Sequence, residues 1–390
     1  MSRSVLAKMW SSRIPPADFA VKPRGLSTKL TAMTSNTTAR WLALIFGLVL
    51  AGANRAAGLA DPSRLEGLPA AVARGDFPKT NAVLVISGGD VVYERYFGEG
   101  RPELLNDTRS ATKSLTALAV GVAISDGAIG SAADPVIGYF ADLAPFAHDT
   151  PDKRAITIED LLTMSSALDC NDDDPASPGL EDRMHQQPNW MRWALDLPTV
   201  VGYRRDAQGR GPWRYCTAGA FVLGQVVQRA TKTPVDRYID ARVLTPLGIT
   251  RRQWQYSPSR EAMTGGGLRL TARDLGKIAW MVVDGGRWQG RQIVPAAWID
   301  AALTERRPAY PSLGYGYLFW RRTFKTPCGD ANGWYMAGNG GNAIVILRDL
   351  HAAVVVARAN FGAPGMHDQT EALLETYVLP ALMCRPGARA

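Results

Sequence analysis

The stretch Thr108-Arg109-Ser110-Ala111-Thr112-Lys113 places a serine three residues before a lysine, at the start of an Ala/Leu/Val-rich segment over residues 114–120. Side chains three residues apart lie on one face of a helix, so the Lys113 amine can approach the Ser110 hydroxyl. A serine hydroxyl is a weak nucleophile until a neighbouring base accepts its proton. Taken alone, the pattern also fits a helix-capping serine followed by a solvated lysine. The rest of the chain has to decide between these two interpretations.

Length and composition describe an ordinary globular protein. The chain has 390 residues, 46% of them hydrophobic and 21% charged, which allows one large domain or two to three smaller ones. The net charge of +8 is concentrated at one end, because residues 1–60 contain eight Lys or Arg and a single acid. The remainder is close to neutral, so the charge is no argument for nucleic-acid binding.

An apolar run over Trp41–Ala53 follows basic residues and precedes small ones, which is typical of a signal peptide. A membrane span needs about 20 apolar residues, and this run is shorter. We therefore predict that residues 1–60 form a basic segment with a signal peptide, cleaved after Ala53 or Ala60, and that the protein is exported to the periplasm or secreted. Use of Met33 as the working start, an organelle presequence and an uncleaved membrane anchor stay open.

Four cysteines fit an exported protein. Their even number is typical of two disulfides in an oxidising compartment, and no pair has the C-x-x-C spacing of a zinc or redox site. Three pairings are possible. We predict Cys170–Cys216 and Cys328–Cys384, because the first two flank the suspected site and the last two lie in the C-terminal third. The histidines show no ligand spacing, so the sequence predicts neither a metal nor a cofactor.

The patterning predicts strands at both ends of the chain and helices between them. Two short strands around a Ser-Gly-Gly-Asp turn read as a hairpin. An antiparallel sheet flanked by helices, an α+β fold, follows from strands that lie so far apart in the chain. We expect one domain over residues 61–390, with a mostly helical inserted subdomain over about 131–260. The predicted strands are residues 82–86, 91–97, 314–320, 342–347 and 352–359, and the main predicted helices are residues 110–126, 218–231, 235–243, 274–283, 295–303 and 370–379.

Several motifs follow one another in a fixed order: Ser110-Ala-Thr-Lys113, the leucine-rich Ile158–Ser166, Tyr215-Cys-Thr217, Gly266–Leu275 and Gly338-Asn-Gly-Gly-Asn342. Their order and spacing, over about residues 80–380, resemble the serine β-lactamase/penicillin-binding-protein superfamily. The residues of these motifs are most similar to those of its class C β-lactamase-related branch, which includes esterases, D-aminopeptidases and 6-aminohexanoate-dimer hydrolases. One such motif is weak evidence, but all of them in sequence are strong. The resemblance implies a β-lactamase/transpeptidase-like fold.

The resemblance also implies catalytic roles. Ser110 would be the acylated nucleophile, and Lys113 would lower the barrier to its deprotonation. Tyr215 would be the second base, which relays the proton to the leaving group and later activates water. An unperturbed phenol has a pKa of about 10, so Tyr215 needs a nearby cation such as Lys113 to ionise.

An oxyanion hole is implied in the same way. It would use the backbone N–H groups of Ser110 and of Asn342, the latter on an edge strand. Gly340 and Gly341 would let the substrate lie close to that strand.

Two departures from the superfamily pattern narrow the expected substrate. Asn339 stands where a Lys or His is usual, which removes a cation for a substrate carboxylate such as that of β-lactams or D-Ala-D-Ala peptides. Thr217 stands where an Asn is usual. The acidic run 172–174 predicts a solvated loop, which could receive a substrate ammonium if it borders the cleft.

We therefore expect a serine hydrolase of the 6-aminohexanoate-dimer-hydrolase or esterase type. It would cleave amide or ester bonds of small or linear substrates through a Ser110 acyl-enzyme. A β-lactamase or D-Ala-type peptidase remains an alternative, as does a non-catalytic homologue that binds peptidoglycan fragments or peptides. No nucleic-acid partner is expected, and the protein would contact a membrane only through an uncleaved N-terminal segment.

Overall fold

The computed structural model describes residues 58–386, so the apolar run Trp41–Ala53 and the signal peptide predicted there lie outside the described residues. Among residues 58–386, none of the helices combines the length and the apolar character that a membrane span requires.

An eight-stranded antiparallel sheet forms the centre of the fold, with the strand order β2-β1-β13-β12-β11-β10-β9-β8. A three-stranded sheet, in the order β3-β5-β4, and the hairpin β6-β7 accompany it. The strands are β1 (Thr80–Ser87), β2 (Asp90–Tyr96), β3 (Asn106–Asp107), β4 (Gln253–Trp254), β5 (Leu268–Leu270), β6 (Arg287–Trp288), β7 (Arg291–Gln292), β8 (Arg307–Tyr310), β9 (Leu313–Tyr315), β10 (Trp320–Thr326), β11 (Gly329–Gly338), β12 (Asn342–Leu347) and β13 (Ala352–Arg358).

Helices cover both faces of the large sheet, and short helices separated by long loops are the main regular structure of residues 131–260. Short turns of 3-10 or π helix continue or connect several of them, such as Arg109–Ala111 before α2 and Leu374–Val378 between the last two helices. The helices are α1 (Leu68–Arg74), α2 (Thr112–Ser125), α3 (Pro151–Arg154), α4 (Ile158–Leu162), α5 (Glu181–His185), α6 (Trp190–Asp196), α7 (Thr217–Thr231), α8 (Val235–Ile239), α9 (Ala272–Val283), α10 (Ala296–Ala302), α11 (Met366–Leu373) and α12 (Leu379–Met383).

Successive side chains of each central strand enter different cores, because side chains alternate between the faces of a sheet. Leu84 and Ile86 of β1 belong to the larger core, which includes the buried faces of α2, α7 and α9. Val83 and Val85 belong to a second core with α1 and the C-terminal helices. This burial on both faces explains why the central strands are almost continuously apolar.

The predicted hairpin is confirmed. Strands β1 and β2 are joined at Gly88 and Gly89, which have φ values of +61° and +99°. Two successive positive φ values give the tight turn whose twist matches that of the flanking strands, and glycine adopts them without steric cost.

The C-terminal half of the sheet differs from the prediction. The predicted strand over residues 314–320 is divided between the end of β9 and the start of β10, and β8 and β11 were not predicted. The β11 sequence contains three glycines, an Asn and an Asp, all of them poor strand formers. Its conformation is imposed by pairing with β10 on one side and β12 on the other.

One consequence concerns Asn342. Strands β8 to β11 extend the sheet beyond β12, so β12 lies between β11 and β13. The prediction that Asn342 lies on an edge strand is therefore wrong.

Two disulfides are present, and they join the predicted pairs. Cys170–Cys216 links the loop before α5 to the residue preceding α7. Cys328–Cys384 links the turn between β10 and β11 to the end of α12.

Candidate active site

Ser110 lies in the single 3-10 turn Arg109–Ala111, directly ahead of α2. Arg109 has a φ of +49°, a left-handed conformation that costs a non-glycine residue of order 1–3 kcal/mol. Two contacts hold the preceding backbone: Thr108 Oγ1 donates to the Leu268 carbonyl (2.6 Å), and Asn342 Nδ2 donates to the Asp107 carbonyl (3.1 Å). The turn with Ser110 is therefore fixed by β5 and β12, which lie far away in the sequence.

Lys113 is buried, with only 1% of its surface exposed. Its Nζ donates to Ser110 Oγ (2.9 Å) and to the Gly265 carbonyl (2.6 Å). Lys113 therefore does not have the environment of a solvated surface lysine. Gly265 is the first of the three glycines that precede β5, and it lies far from Lys113 in the sequence. The tertiary structure therefore directs the amine toward Ser110.

Tyr215 completes the group. Its ring centre lies 4.9 Å from Lys113 Nζ, and the ring stacks on Trp320 with 5.7 Å between ring centres. Burial raises the pKa of the Tyr215 phenol above its usual value, and this outweighs the opposing effects of Lys113 and Ser110, which lower it. The Lys113 cation therefore opposes the effect of burial on the pKa of the Tyr215 phenol without cancelling it.

Aromatic side chains form a wall beside Tyr215. The rings of Tyr310 and Trp320 are nearly parallel, with 5.8 Å between their centres, and Trp213 packs edge-on against both. The Tyr310 hydroxyl donates to Asp173 (2.5 Å), which ties the wall to the acidic loop. We call Trp213, Tyr310 and Trp320 the aromatic wall. Sequence patterns do not bring these three side chains together, because Trp213 lies in a loop and the other two lie in separate strands, β8 and β10.

The acidic loop is built into the site. Asp172 accepts hydrogen bonds from the backbone N–H groups of Thr217 (2.7 Å) and Glu181 (2.8 Å). Thr217 is fully buried, and its Oγ1 donates to Glu181 Oε2 (3.3 Å). Burial raises the pKa of Asp172, and the Lys113 cation opposes that rise. Thr217 therefore positions Glu181, a residue that the sequence analysis missed because no motif marks it.

Gly266 lies between Glu181 and residues 108–111, which we call the nucleophile turn because they include Ser110, the predicted nucleophile. A methyl group on Gly266 would lie 3.7 Å from the Arg109 carbonyl carbon and 3.9 Å from Glu181 Oε1. The Glu181 carboxylate is therefore close to the backbone that precedes Ser110. Within residues 58–386, no three His, Cys, Asp or Glu side chains are grouped so that they could hold a metal ion.

The end of β11 packs against the nucleophile turn. A Cβ atom on Gly338 would lie 2.1 Å from the Thr108 carbonyl oxygen, so only glycine allows this approach. The ladder between β10 and β11 ends at the pair Trp320 and Tyr335. Residues 336–338 pair with β12 alone, which leaves one edge of this backbone unpaired by β10.

Asn342 does not have the surroundings expected of an oxyanion donor. It is 1% exposed, and it pairs in register with Gly338. Its Nδ2 also donates to the Asn339 carbonyl (2.9 Å), and its Oδ1 accepts from the Arg358 backbone N–H (3.1 Å). Asn342 thus braces the turn between β11 and β12.

The other residues of this turn also differ from expectation. Gly340 and Gly341, with φ values of +91° and +84°, face Phe361 and Arg358 inside the protein, so their role in admitting substrate is not supported. Asn339 is exposed, and its Oδ1 accepts from the Gly362 backbone N–H (2.8 Å).

The Beta-lactamase family profile matches residues 71–377 of this chain. The chain belongs to the Beta-lactamase family. A 6-aminohexanoate-dimer hydrolase from Paenarthrobacter ureafaciens is 29% identical over 279 residues, which cover 67% of this chain and 65% of that protein. A lovastatin esterase from Penicillium rubens is 28% identical over 204 residues, which cover 48% of this chain and 50% of that protein. The chain therefore spans about two thirds of the length of the first of these curated relatives and about half of the length of the second.

Solved structures confirm the predicted β-lactamase/transpeptidase-like fold. The penicillin-binding protein homologue from Pyrococcus abyssi superposes with a TM-score of 0.63 at 20% identity, over 82% of this chain and 77% of that one.

Proposed function

We propose that this protein is a serine hydrolase that cleaves amide or ester bonds of small or linear substrates through a Ser110 acyl-enzyme. The observation that carries the proposal is the buried Lys113 amine, 2.9 Å from Ser110 Oγ, with Tyr215 beside both. Burying a lysine amine away from water is costly, and a protein that only binds its ligand has no need of that arrangement beneath a serine hydroxyl. Family membership and the two hydrolase relatives support the same chemistry.

A protonated Lys113 and a neutral Tyr215 together offer no base for the Ser110 proton. The proposed chemistry therefore requires that one of these two side chains has lost its proton. In the deprotonated group, Ser110 Oγ gives its proton to Lys113 or Tyr215 as it attacks the carbonyl carbon. The C–N or C–O bond then breaks, and the leaving group takes a proton from the same pair. Water attacks the acyl-enzyme by the reverse route, which releases the acid and restores Ser110.

We assign the oxyanion hole to the Ser110 backbone N–H and to the backbone of residues 337–339. Gly338 packs on the nucleophile turn, and the edge of β11 there has no partner in β10. Backbone N–H groups fixed in this way are suited to stabilise the charge that develops on the carbonyl oxygen.

The surroundings of Ser110 support a linear substrate with an apolar chain and an amine. The aromatic wall offers an apolar surface beside Tyr215, and Asp172 and Glu181 offer carboxylates on the side of Thr217. Asn339 provides no cation at the position where β-lactam-type substrates would use one. The name of one curated relative, a 6-aminohexanoate-dimer hydrolase, agrees with this class, and the name of the other, a lovastatin esterase, supports the cleavage of ester bonds.

A fluorophosphonate probe followed by peptide mass mapping tests the nucleophile. We expect the label on Ser110 and its loss in Ser110→Ala. A hydrolysis panel of a penicillin, a D-amino-acid peptide, a short ester and a linear ω-amino-acid dimer then tests the substrate class, with the last two turned over fastest. No label and no turnover would favour a binding protein, whereas preferred turnover of the penicillin would favour a β-lactamase.

We also propose that the protein is exported. The signal-peptide pattern over Trp41–Ala53 supports export, as do two disulfides, which persist in oxidising compartments. Cell fractionation with N-terminal sequencing of the mature chain is the test. A chain found in the cytosol with four free thiols would contradict export.

A further inference from the structure

Arg109 ends in a guanidinium that the acyl-transfer chemistry does not use. Its Nε lies 3.3 Å from Asp107 Oδ2, and Arg269 Nη2 lies 3.3 Å from the same oxygen. One carboxylate between two guanidiniums leaves one positive charge in this group. The side chains of Arg109 and Arg269 are 45% and 48% exposed, whereas that of Asp107 is 18% exposed, so the charge is presented to solvent.

Phe361 holds the Arg109 guanidinium beside the site. The Arg109 Cζ atom lies 4.6 Å from the centre of the Phe361 ring. That ring packs against Gly340, where a Cβ atom would come within 2.7 Å of it, and the next residue, Gly362, donates its backbone N–H to Asn339. The guanidinium therefore lies next to the turn after β11, the strand whose end contacts the nucleophile turn.

An arginine held in this way is suited to one class of ligand. Stacking on an aromatic ring covers one face of the guanidinium and leaves its N–H edge available. That edge matches the two oxygens of a carboxylate, and such charge-assisted pairs are stronger than neutral hydrogen bonds. Asn339 supplies no positive charge in the neighbouring turn, so Arg109 offers the cation from a different element.

We propose that Arg109 determines specificity by binding a free carboxylate of the substrate. On this assignment the enzyme prefers amides or esters that carry a carboxylate apart from the scissile bond. The assignment rests on the proposed hydrolase function. It adds a positive group to a site in which Glu181 supplies a negative one.

Matched aryl esters test the assignment. One pair is mono-p-nitrophenyl adipate and p-nitrophenyl hexanoate, which differ by a carboxylate on the acyl side. The other is the hexanoate ester of 4-hydroxybenzoate and that of 4-hydroxybenzamide, which differ on the leaving-group side. The readout is the ratio of kcat/KM for the charged ester to that for its neutral partner.

In Arg109→Gln we expect this ratio to fall by about 10- to 100-fold for at least one pair, mainly through KM, because a charge-assisted hydrogen bond is lost. Arg109→Lys keeps the charge and is expected to retain part of the preference. Phe361→Leu, which removes only the stacking, is expected to lower the ratio by a smaller factor. Arg74→Gln is the matched control, since Arg74 is an exposed arginine of α1 paired with Asp76.

A ratio that stays within about twofold of wild type for both pairs in Arg109→Gln and Phe361→Leu overturns the assignment. A uniform loss for charged and neutral esters also overturns it, because that result gives Arg109 a purely structural role. If the wild-type protein hydrolyses none of the four esters and takes no fluorophosphonate label, the proposed function itself fails, which is a different result.

Discussion

Tyr215 experiences opposing effects at the scale of single residues. Packing against Trp320 removes its ring from water, while Lys113 and Ser110 favour loss of its proton. The net effect raises the pKa of the phenol, so the deprotonated group that catalysis needs becomes populated only as the pH increases. We therefore expect the burial of this site to control the pH dependence of catalysis.

The first prediction is that kcat/KM for a neutral ester rises from neutral into alkaline pH, with a limiting slope of about one on a logarithmic scale. Because the active form is the deprotonated one, a raised pKa shifts the rising part of the pH–rate profile to higher pH. Rates measured from pH 6 to 10, with Ser110→Ala as the background, provide the check. A profile that is flat or falls above neutral pH would show that this group does not control catalysis.

The second prediction is that Tyr215→Phe lowers kcat by roughly 10³-fold, the scale expected when one member of a catalytic unit is lost. The substitution removes only the hydroxyl and leaves the ring on Trp320. Tyr335→Phe is a matched control, because Tyr335 packs on the same Trp320 and is not part of the proposed chemistry. Similar rates in the two variants would refute the role of Tyr215.

At the scale of elements, the approach of β11 to the nucleophile turn depends on Gly338. We predict that Gly338→Ala lowers kcat/KM by at least tenfold, because its Cβ atom would lie 2.1 Å from the Thr108 carbonyl oxygen and must displace the strand or the turn. Overpacking of this kind costs about 1–3 kcal/mol of stability, which thermal unfolding would show.

Gly138→Ala serves as the control for Gly338→Ala. A Cβ atom at Gly138 meets no other atom within 4 Å, and its φ is not positive. Unchanged activity in Gly338→Ala would mean that the end of β11 does not contribute to the site.

The two disulfides offer a second comparison between elements. Cys170 and Cys216 are 46 residues apart in the sequence, and Cys328 and Cys384 are 56 residues apart. Loop-closure entropy therefore predicts that the removal of either disulfide lowers the free energy of unfolding by a similar amount, about 2–5 kcal/mol. Only the first lies next to Tyr215, whose carbonyl accepts from the Asp172 backbone N–H (2.8 Å). We predict that Cys170→Ala/Cys216→Ala lowers kcat per folded molecule by at least tenfold, and that Cys328→Ala/Cys384→Ala does not.

Activity measured below the unfolding temperature of each double variant, normalised to the folded fraction, tests this difference. Equal losses of kcat in both variants would show that the first disulfide contributes to stability alone.

At the scale of the whole molecule, Glu371 makes stability depend on pH. It lies on α11 and pairs with Arg322 (2.7 Å), but burial outweighs this pairing and raises its pKa to about 7. A carboxyl whose pKa is higher in the folded state stabilises the fold at acidic pH. That contribution is complete below its unfolded pKa and is lost as the pH rises through about 7.

We therefore predict that the contribution of Glu371 to the free energy of unfolding, taken as the difference between wild type and Glu371→Gln, falls by roughly 1–3 kcal/mol between pH 4.5 and 8, at about 1.4 kcal/mol for each unit of pKa difference. Glu371→Gln cannot ionise and is expected to remove this contribution, whereas Glu103→Gln, at an exposed position, is expected to leave it unchanged. Urea unfolding at several pH values provides the measurement. The same slope in Glu371→Gln and wild type would contradict the prediction.

Much of the architecture was predictable because the relevant signals are local. The spacing of Ser110 and Lys113, the Gly-Gly turn of the first hairpin and the apolar pattern of α7 each lie within one element, where short-range geometry decides the outcome. The order of the motifs in the chain extended these local signals to the fold family. Local patterning therefore predicted the contact between Ser110 and Lys113 and most of the elements, and the order of the motifs predicted the fold.

Only the tertiary structure decided how distant segments meet. Strand β11 has poor strand formers and exists because β10 and β12 pair with it, which places β12 inside the sheet. The aromatic wall, Glu181 and the contact between Arg109 and Phe361 join residues from separate loops and strand ends. Pairing and desolvation depend on partners far away in sequence, so no local pattern encodes them. For that reason the sequence alone predicted that Ser110 and Lys113 meet, and the folded chain decided what surrounds them.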